Sequence, residues 1–337
     1  MKSTVRPSYP RLSTAERHLL SAATQTRTIA QAAWDAWRPG NRIETAEPKA
    51  QALFGMVYAN LLADLGGPDS TLLKGVYRQT WYTNQLALYQ LRPLLDRLAA
   101  HGVSALLLND ASIVAGYYPD IGCRVIRCID ILVHGEHWDR SIAAASEEGW
   151  QAERSKSFGS GGSLSAMAFA GPESRSMRIW TNLFTAAPQE DTDARIWSGA
   201  RNIRINDHSI LTLGPVEQLL FLSADAFREK EPPLFLYADA RLLLQSLSSA
   251  ADWARLVWHA QRFEHILPLR NMLAVLQETL SVILPEWVLP ALHKMAISHA
   301  ELLQYHQACE SPQLRLKSRC LRWLIPFLPE EVRPPSQ

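Results

Sequence analysis

The sequence predicts a mixed α/β (α+β) chain, a small mixed sheet flanked by an N-terminal and a C-terminal helical block. Three observations carry this expectation. Apolar residues recur at helical spacing through the first hundred residues, the period changes to short strand-like runs in the middle, and helical spacing returns from Pro215 onward. The expected organisation is an N-terminal helical region at 1–100, an α/β core at 101–214 and a C-terminal helical bundle at 215–337.

In the first block, "TAERHLLSAA" has Ser13 or Thr14 as N-cap and Glu16 in the first turn, and "TNQLALYQLRPLLDRLAAHG" carries a helix that ends on Gly102. "WRPGNRIETAEP" and "LGGPDS" read as loops from their Pro and Gly content. In the core, the strand candidates are Val103 to Asn109, Cys128 to Val133, Leu164 to Gly171, Met177 to Phe184 and Ser209 to Leu213. Helices are expected over Ala111 to Tyr118 and Glu136 to Trp150. "SKSFGSGGSLS" lacks the lysine and following helix of a P-loop and reads as a flexible hairpin connection. Four helical stretches follow Pro215, and the aromatic spacing of Trp253 and Trp258 belongs to a core face.

The chain has 337 residues, 47% hydrophobic and 20% charged, with a formal charge of +1. That is ordinary globular composition without an overall footprint for nucleic acid or anionic membrane. The late basic run "RLKSRCLRW" reads as a solvated helix face. No apolar run approaches the ~20 residues of a spanning helix, so a soluble, cytoplasmic protein is expected. Cys123, Cys128, Cys309 and Cys320 lack zinc-type spacing and read as reduced thiols; His134 and His137 read as surface residues.

The sharpest feature is "CRVIRCIDILV". Asp130 sits inside an apolar strand, where a lone carboxylate is costly, so a partner is required. With "YYPD" (Tyr117 to Asp120), Arg124 and "IDILV" in register, this region resembles the core of a bacterial family of uncharacterised nucleotidyltransferases with the polymerase-beta-like fold. The resemblance runs from about Arg17 to Leu292 and places Asp239 at the family's helix aspartate. It implies a cleft in which Lys-Gly meets a triphosphate at a strand-helix junction, and an Asp-x-Asp strand plus a third acid hold two magnesium ions for in-line transfer.

At each of these positions the chain departs from the family. Cys128 replaces the first acid of the pair, and a thiol binds magnesium poorly. "RIWT" puts Arg178 at the third acid and Trp180 at the family's histidine. Asn109 and Asp110 replace Lys-Gly, and Asp110 is expected to cap a helix starting at Ala111, blocking a phosphate. Asp130 and Arg178 are expected to form an ion pair across neighbouring strands.

The resemblance therefore implies a family member that has lost magnesium-dependent transfer and serves as a binding or accessory protein in a bacterial biosynthetic or tailoring pathway. Its partner would be a protein, a peptide or a small anionic ligand, without nucleic acid, membrane, metal or cofactor. Asp130 is the residual catalytic candidate, and Asn109, Asp110, Ser112, Tyr117, Arg124, Arg127, Cys128, Arg178 and Trp180 are the cleft candidates. The alternative is a divergent active enzyme using magnesium and a nucleoside triphosphate to modify a hydroxyl of a peptide, sugar or small molecule, with Asp130 on the metal; Glu190, Asp191 and Asp193 of "PQEDTDAR" are the substitute ligands that could fold back, although the stretch itself reads as a solvated acidic loop. A third idea is a reactive Cys128 thiol activated by Arg124 and Arg127.

Overall fold

The chain is described from a computed structural model over residues 12–62, 66–160, 163–171, 175–184, 189–205, 207–228, 232–302 and 305. The N-terminal helices are α1 (Thr14–Thr24), α2 (Arg27–Trp37), α3 (Pro48–Gln51), α4 (Phe54–Leu61) and α5 (Gly67–Ala100). The middle of the chain runs β1 (Ala105–Leu108), α6 (Asn109–Tyr117), β2 (Cys128–Val133), α7 (Trp138–Glu147), β3 (Gln151–Ser160), β4 (Ser163–Ala170), β5 (Ser176–Trp180), α8 (Gln189–Ser198), β6 (Arg201–Ile205) and β7 (His208–Thr212). The last helices are α9 (Pro215–Arg228), α10 (Leu234–Gln245), α11 (Ala250–Arg262), α12 (Ile266–Leu280) and α13 (Val288–Lys294). Ser13 caps α1 in a reciprocal box with Glu16. Among the described residues no helix is long and apolar enough to cross a membrane.

The strands form one seven-stranded mixed sheet in the order β3-β4-β5-β2-β1-β7-β6. The pairs β1/β7 and β2/β5 are parallel and the others antiparallel. Two of these strands, β3 and β6, differ from expectation. The Gly/Ser-rich stretch is largely β-structure, because β3 reaches Ser160 and pairs irregularly with β4. "RNIRI" forms edge strand β6, where buried Ile203 and Ile205 alternate with outward polar residues. The basic run from Arg315 to Trp323 lies outside the described residues, as do Cys309 and Cys320.

Both faces of the sheet are covered, which explains why β1 and β2 read as apolar runs. Leu107, Ile129, Ile131, Val133 and Ile179 join one core with Leu91, Leu94 and Leu98 of α5. Leu106, Leu108, Leu132 and Trp180 join the other with residues of α1, α4, α9, α10 and α12. Side chains alternate along a strand, so Cys128 and Asp130 lie on the face of Leu132, under the C-terminal helices. Asn84 of α5, fully buried, fixes the approach to β2: its Nδ2 donates to the carbonyls of Ile121 (2.6 Å) and Arg124 (2.7 Å), and its Oδ1 accepts from the Ile126 N–H at 2.8 Å.

Beyond α13, Glu301 is buried against the start of α12 and accepts from the Leu267 N–H at 2.6 Å. Burial pushes its carboxyl up to about 7, against the lowering effect of that hydrogen bond. A carboxyl raised on folding stabilises the fold below its ordinary value near 4.5 and loses that contribution as pH rises towards 7. The stability of wild type relative to Glu301→Gln should therefore fall between pH 5 and pH 7, by at most about 1.4 kcal/mol per pH unit. Urea unfolding of both proteins across that range checks it; parallel curves would rule the assignment out.

Candidate functional site

Parallel register supplies the partner that the Asp130 carboxylate requires. Asp130 of β2 lies opposite Arg178 of β5. The guanidinium forks onto the carboxylate: Nε donates to Oδ1 and Nη2 donates to Oδ2 at 2.7 Å. Trp180 Nε1–H adds a third bond to Oδ1 at 2.9 Å. Asp130 is wholly buried, so the fork supplies the counter-charge that burial demands. The expected ion pair is present. Arg178 also reaches towards Asp225 of α9, with Nη2 3.8 Å from Oδ2. Burial opposes its charge, but the Asp130 carboxylate, helped by Asp225, holds the proton on more firmly than usual.

The strand-helix junction is built differently from expectation. Helix α6 starts at Asn109, with Leu108 as N-cap and no side-chain cap. Asp110 does not cap it, because long-range charges claim both of its oxygens. Arg124 Nη2 donates to Oδ1 at 2.6 Å, and the N–H and Nε of Arg127 donate to Oδ2 at 3.0 and 3.2 Å. Burial alone would raise the Asp110 carboxyl, but these two guanidiniums hold it well below the usual range. Asn109 takes a left-handed φ of 45°, which asparagine tolerates better than most residues. Its side chain donates to Asp225 at 3.2 Å and accepts from Gln218 at 3.1 Å. Ser112, fully buried, donates to Gln218 at 3.1 Å.

Arg124 is the second centre of this region. Its side chain is fully buried between Asp110 and Asp239 of α10, with Nη2 2.8 Å from Asp239 Oδ2. It stacks on Phe235 at 4.2 Å. Tyr118 donates to Asp239 at 2.7 Å. Burial keeps the Asp239 carboxyl above its ordinary range in spite of these partners. The "YYPD" segment is thus a structural joint: Tyr118 ties α6 to α10, and Asp120 Oδ1 accepts from the Gly122 N–H at 2.7 Å.

The sequence candidates therefore separate. Asp130, Arg178, Trp180, Cys128 and Asn109 come together, joined by Asp225 and Gln218, which sequence reading missed. Arg124 and Ser112 are too deeply buried to meet a ligand, a correction that follows from their ion-pair and hydrogen-bond roles. Tyr117 lies at the far end of α6 with Arg201 4.4 Å over its ring, so it is not part of the cleft. Arg127, stacked on Phe235 at 4.4 Å, keeps 45% of its side chain exposed and Arg178 keeps 24%. Glu190 and Asp191 have side chains outside the described residues; the stretch begins helix α8 instead of a loop.

These residues do not fit a magnesium pair. Arg178 and Trp180 occupy the Asp130 carboxylate, and Cys128 brings sulfur where a hard ligand is needed. Among the described residues no three His, Cys, Asp or Glu side chains gather as a metal set. Nor is positive charge in surplus for a triphosphate, because Arg124, Arg127 and Arg178 are faced by Asp110, Asp130, Asp225 and Asp239. A reactive Cys128 is also disfavoured: burial and the Asp130 charge push its thiol well up.

Arg178→Met should lower stability by about 3 kcal/mol, since it strands a buried carboxylate, and adding Asp130→Asn should restore part of that loss. Urea unfolding of the four proteins measures the coupling, and additive losses would deny it. Native Cys128 should also react with a disulfide reagent far more slowly than in the urea-unfolded chain, as read by mass spectrometry of the labelled peptide; equal rates would contradict the raised thiol.

Solved structures that resemble the chain include the lincomycin-bound lincosamide antibiotic adenylyltransferase LnuA (20% identity, TM-score 0.34, covering 48% of this chain and 97% of that one), the antibiotic-resistance factor ANT(2'')-Ia (13%, 0.40, 59% and 98%) and an antigenic nucleotidyltransferase-like protein from Paracoccidioides brasiliensis (11%, 0.35, 64% and 96%). Likeness at this level says nothing about activity. No curated protein matches the chain. Residues 48–281 match the model of the family described as uncharacterised nucleotidyltransferase, and with more than half of its length matched the chain belongs to that family.

Proposed function

We propose that the protein is a binding member of its family that acts without magnesium-dependent nucleotidyl transfer. Its cleft would take a protein or peptide partner, or a small anionic ligand, in an accessory role within a bacterial biosynthetic or tailoring pathway. The observation that carries this reading is the fork of Arg178 on Asp130, which puts a fixed cation on the carboxylate that a metal-dependent site needs free. Two further features support it: Cys128 stands at the other position of the acid pair, and Asp110 carries negative charge at the junction where a triphosphate would sit. The accessory role comes from the family resemblance alone.

The exposed edges of Arg127 and Arg178 are the groups that a bound carboxylate or amide would meet. The metal-dependent alternative makes an opposite prediction, because a ligand that binds only the folded state raises its stability by mass action. Thermal unfolding against ATP, CTP, GTP and UTP, each at about 1 mM with magnesium or manganese, should leave Tm unchanged to within about 1 °C. A metal-dependent rise of several degrees with one nucleotide would defeat the proposal and establish a rebuilt site.

A further inference from the structure

We infer that Arg178 is the resident cation of this cleft, standing in for a divalent metal, and that two side chains, Arg178 and Cys128, are what keep metals out. The inference rests on the binding-protein reading above and extends it to the physical cause of the missing metal site. A divalent ion in such a cleft would bridge carboxylates from different elements. The Arg178 guanidinium does the same, gripping Asp130 of β2 in a two-bond fork and approaching Asp225 of α9 at 3.8 Å.

The backbone is already arranged for a metal set. Cys128 and Asp130 share one face of β2, and Arg178 is the parallel register partner of Asp130 on the same face. Carboxylates at 128 and 178 would therefore converge with Asp130 without any change of register. The guanidinium differs from a metal in two ways that suit a protein working without one. It cannot be chelated away, and its planar fork satisfies the carboxylate directionally, whereas a bare ion needs several oxygen ligands.

The test uses the full-length protein, with manganese alone as the probe and nucleotide absent. Loss of the free Mn2+ electron paramagnetic resonance signal reports binding, and thermal unfolding reports linked stability. Wild type should bind no Mn2+ at about 1 mM, while Cys128→Asp combined with Arg178→Asp should quench the signal and gain several degrees in Tm, competed by Mg2+. Arg178→Ala provides a second arm in which only the cation is removed. Its Tm should rise with added Mn2+ or methylguanidinium at tens of millimolar, a rise absent from wild type.

Equal Mn2+ binding by wild type and the double variant would overturn the inference, because Arg178 would then be no barrier. Folded variants that respond to no cation would overturn it too, since the acids would not converge. If the double variant folds only with Mn2+, that dependence supports the inference directly; if it fails under all conditions, the Arg178→Ala response decides. A nucleotide-dependent shift of wild type would instead count against the proposed function and leave this comparison standing.

Discussion

Asp130 lies on a central strand, fully buried, with apolar neighbours on both sides in sequence. An ionised carboxylate there is tolerable only with an opposite charge in bonding geometry, and the sheet provides one by register. The fork of Arg178 welds β2 to β5, while the Trp180 N–H fills a remaining acceptor position. Trp180 in turn packs edge-on against Phe221 of α9, with ring centroids 5.2 Å apart. One ion pair thereby links two central strands to the aromatic layer above them and to the helix that carries Asp225.

The junction between β1 and α6 follows the same chemistry with a different arginine. Arg124 is enclosed by Asp110 and Asp239, and every nitrogen of its guanidinium has a partner, including the Val125 carbonyl at 2.7 Å. Lysine could not replace it, because a single ammonium cannot span two carboxylates and a carbonyl in one plane while stacking on Phe235. The acids of this region are thus held by two guanidiniums, Arg124 fully buried and Arg178 partly exposed.

Much of this was legible from residue order because the deciding contacts are local or set by strand register. Asp130 stands out as a charge in an apolar run, and its pairing with Arg178 follows once both stretches are strands. Asp110 shows where such reading fails. The preference of aspartate for helix caps is worth about 1 kcal/mol, and two guanidiniums 14 and 17 residues away outbid it. Asp225 and Gln218 were missed because nothing in "VEQLLFLSADAF" says which face of α9 meets the sheet. Asn84 was hidden likewise, since its partners lie 37 to 42 residues away. The β3 and β6 strands escaped because Gly/Ser content and edge charges obscure the alternating period.

A cleft stabilised in this way constrains what it can bind. A nucleoside triphosphate brings several negative charges and normally its own metal, and needs either surplus cations or free helix N–H groups. Here the guanidiniums are already matched by carboxylates, and Asp110 adds negative charge to the first turn of α6. What remains partly exposed among these groups is Arg127, Arg178 and Cys128, a surface of directional donors whose two cations are already paired with carboxylates. Such a surface discriminates by hydrogen-bond geometry more than by charge, because each donor must be matched for binding to repay its desolvation. Under the proposed function a single carboxylate or a peptide backbone is the ligand that meets that demand, in place of a polyanion.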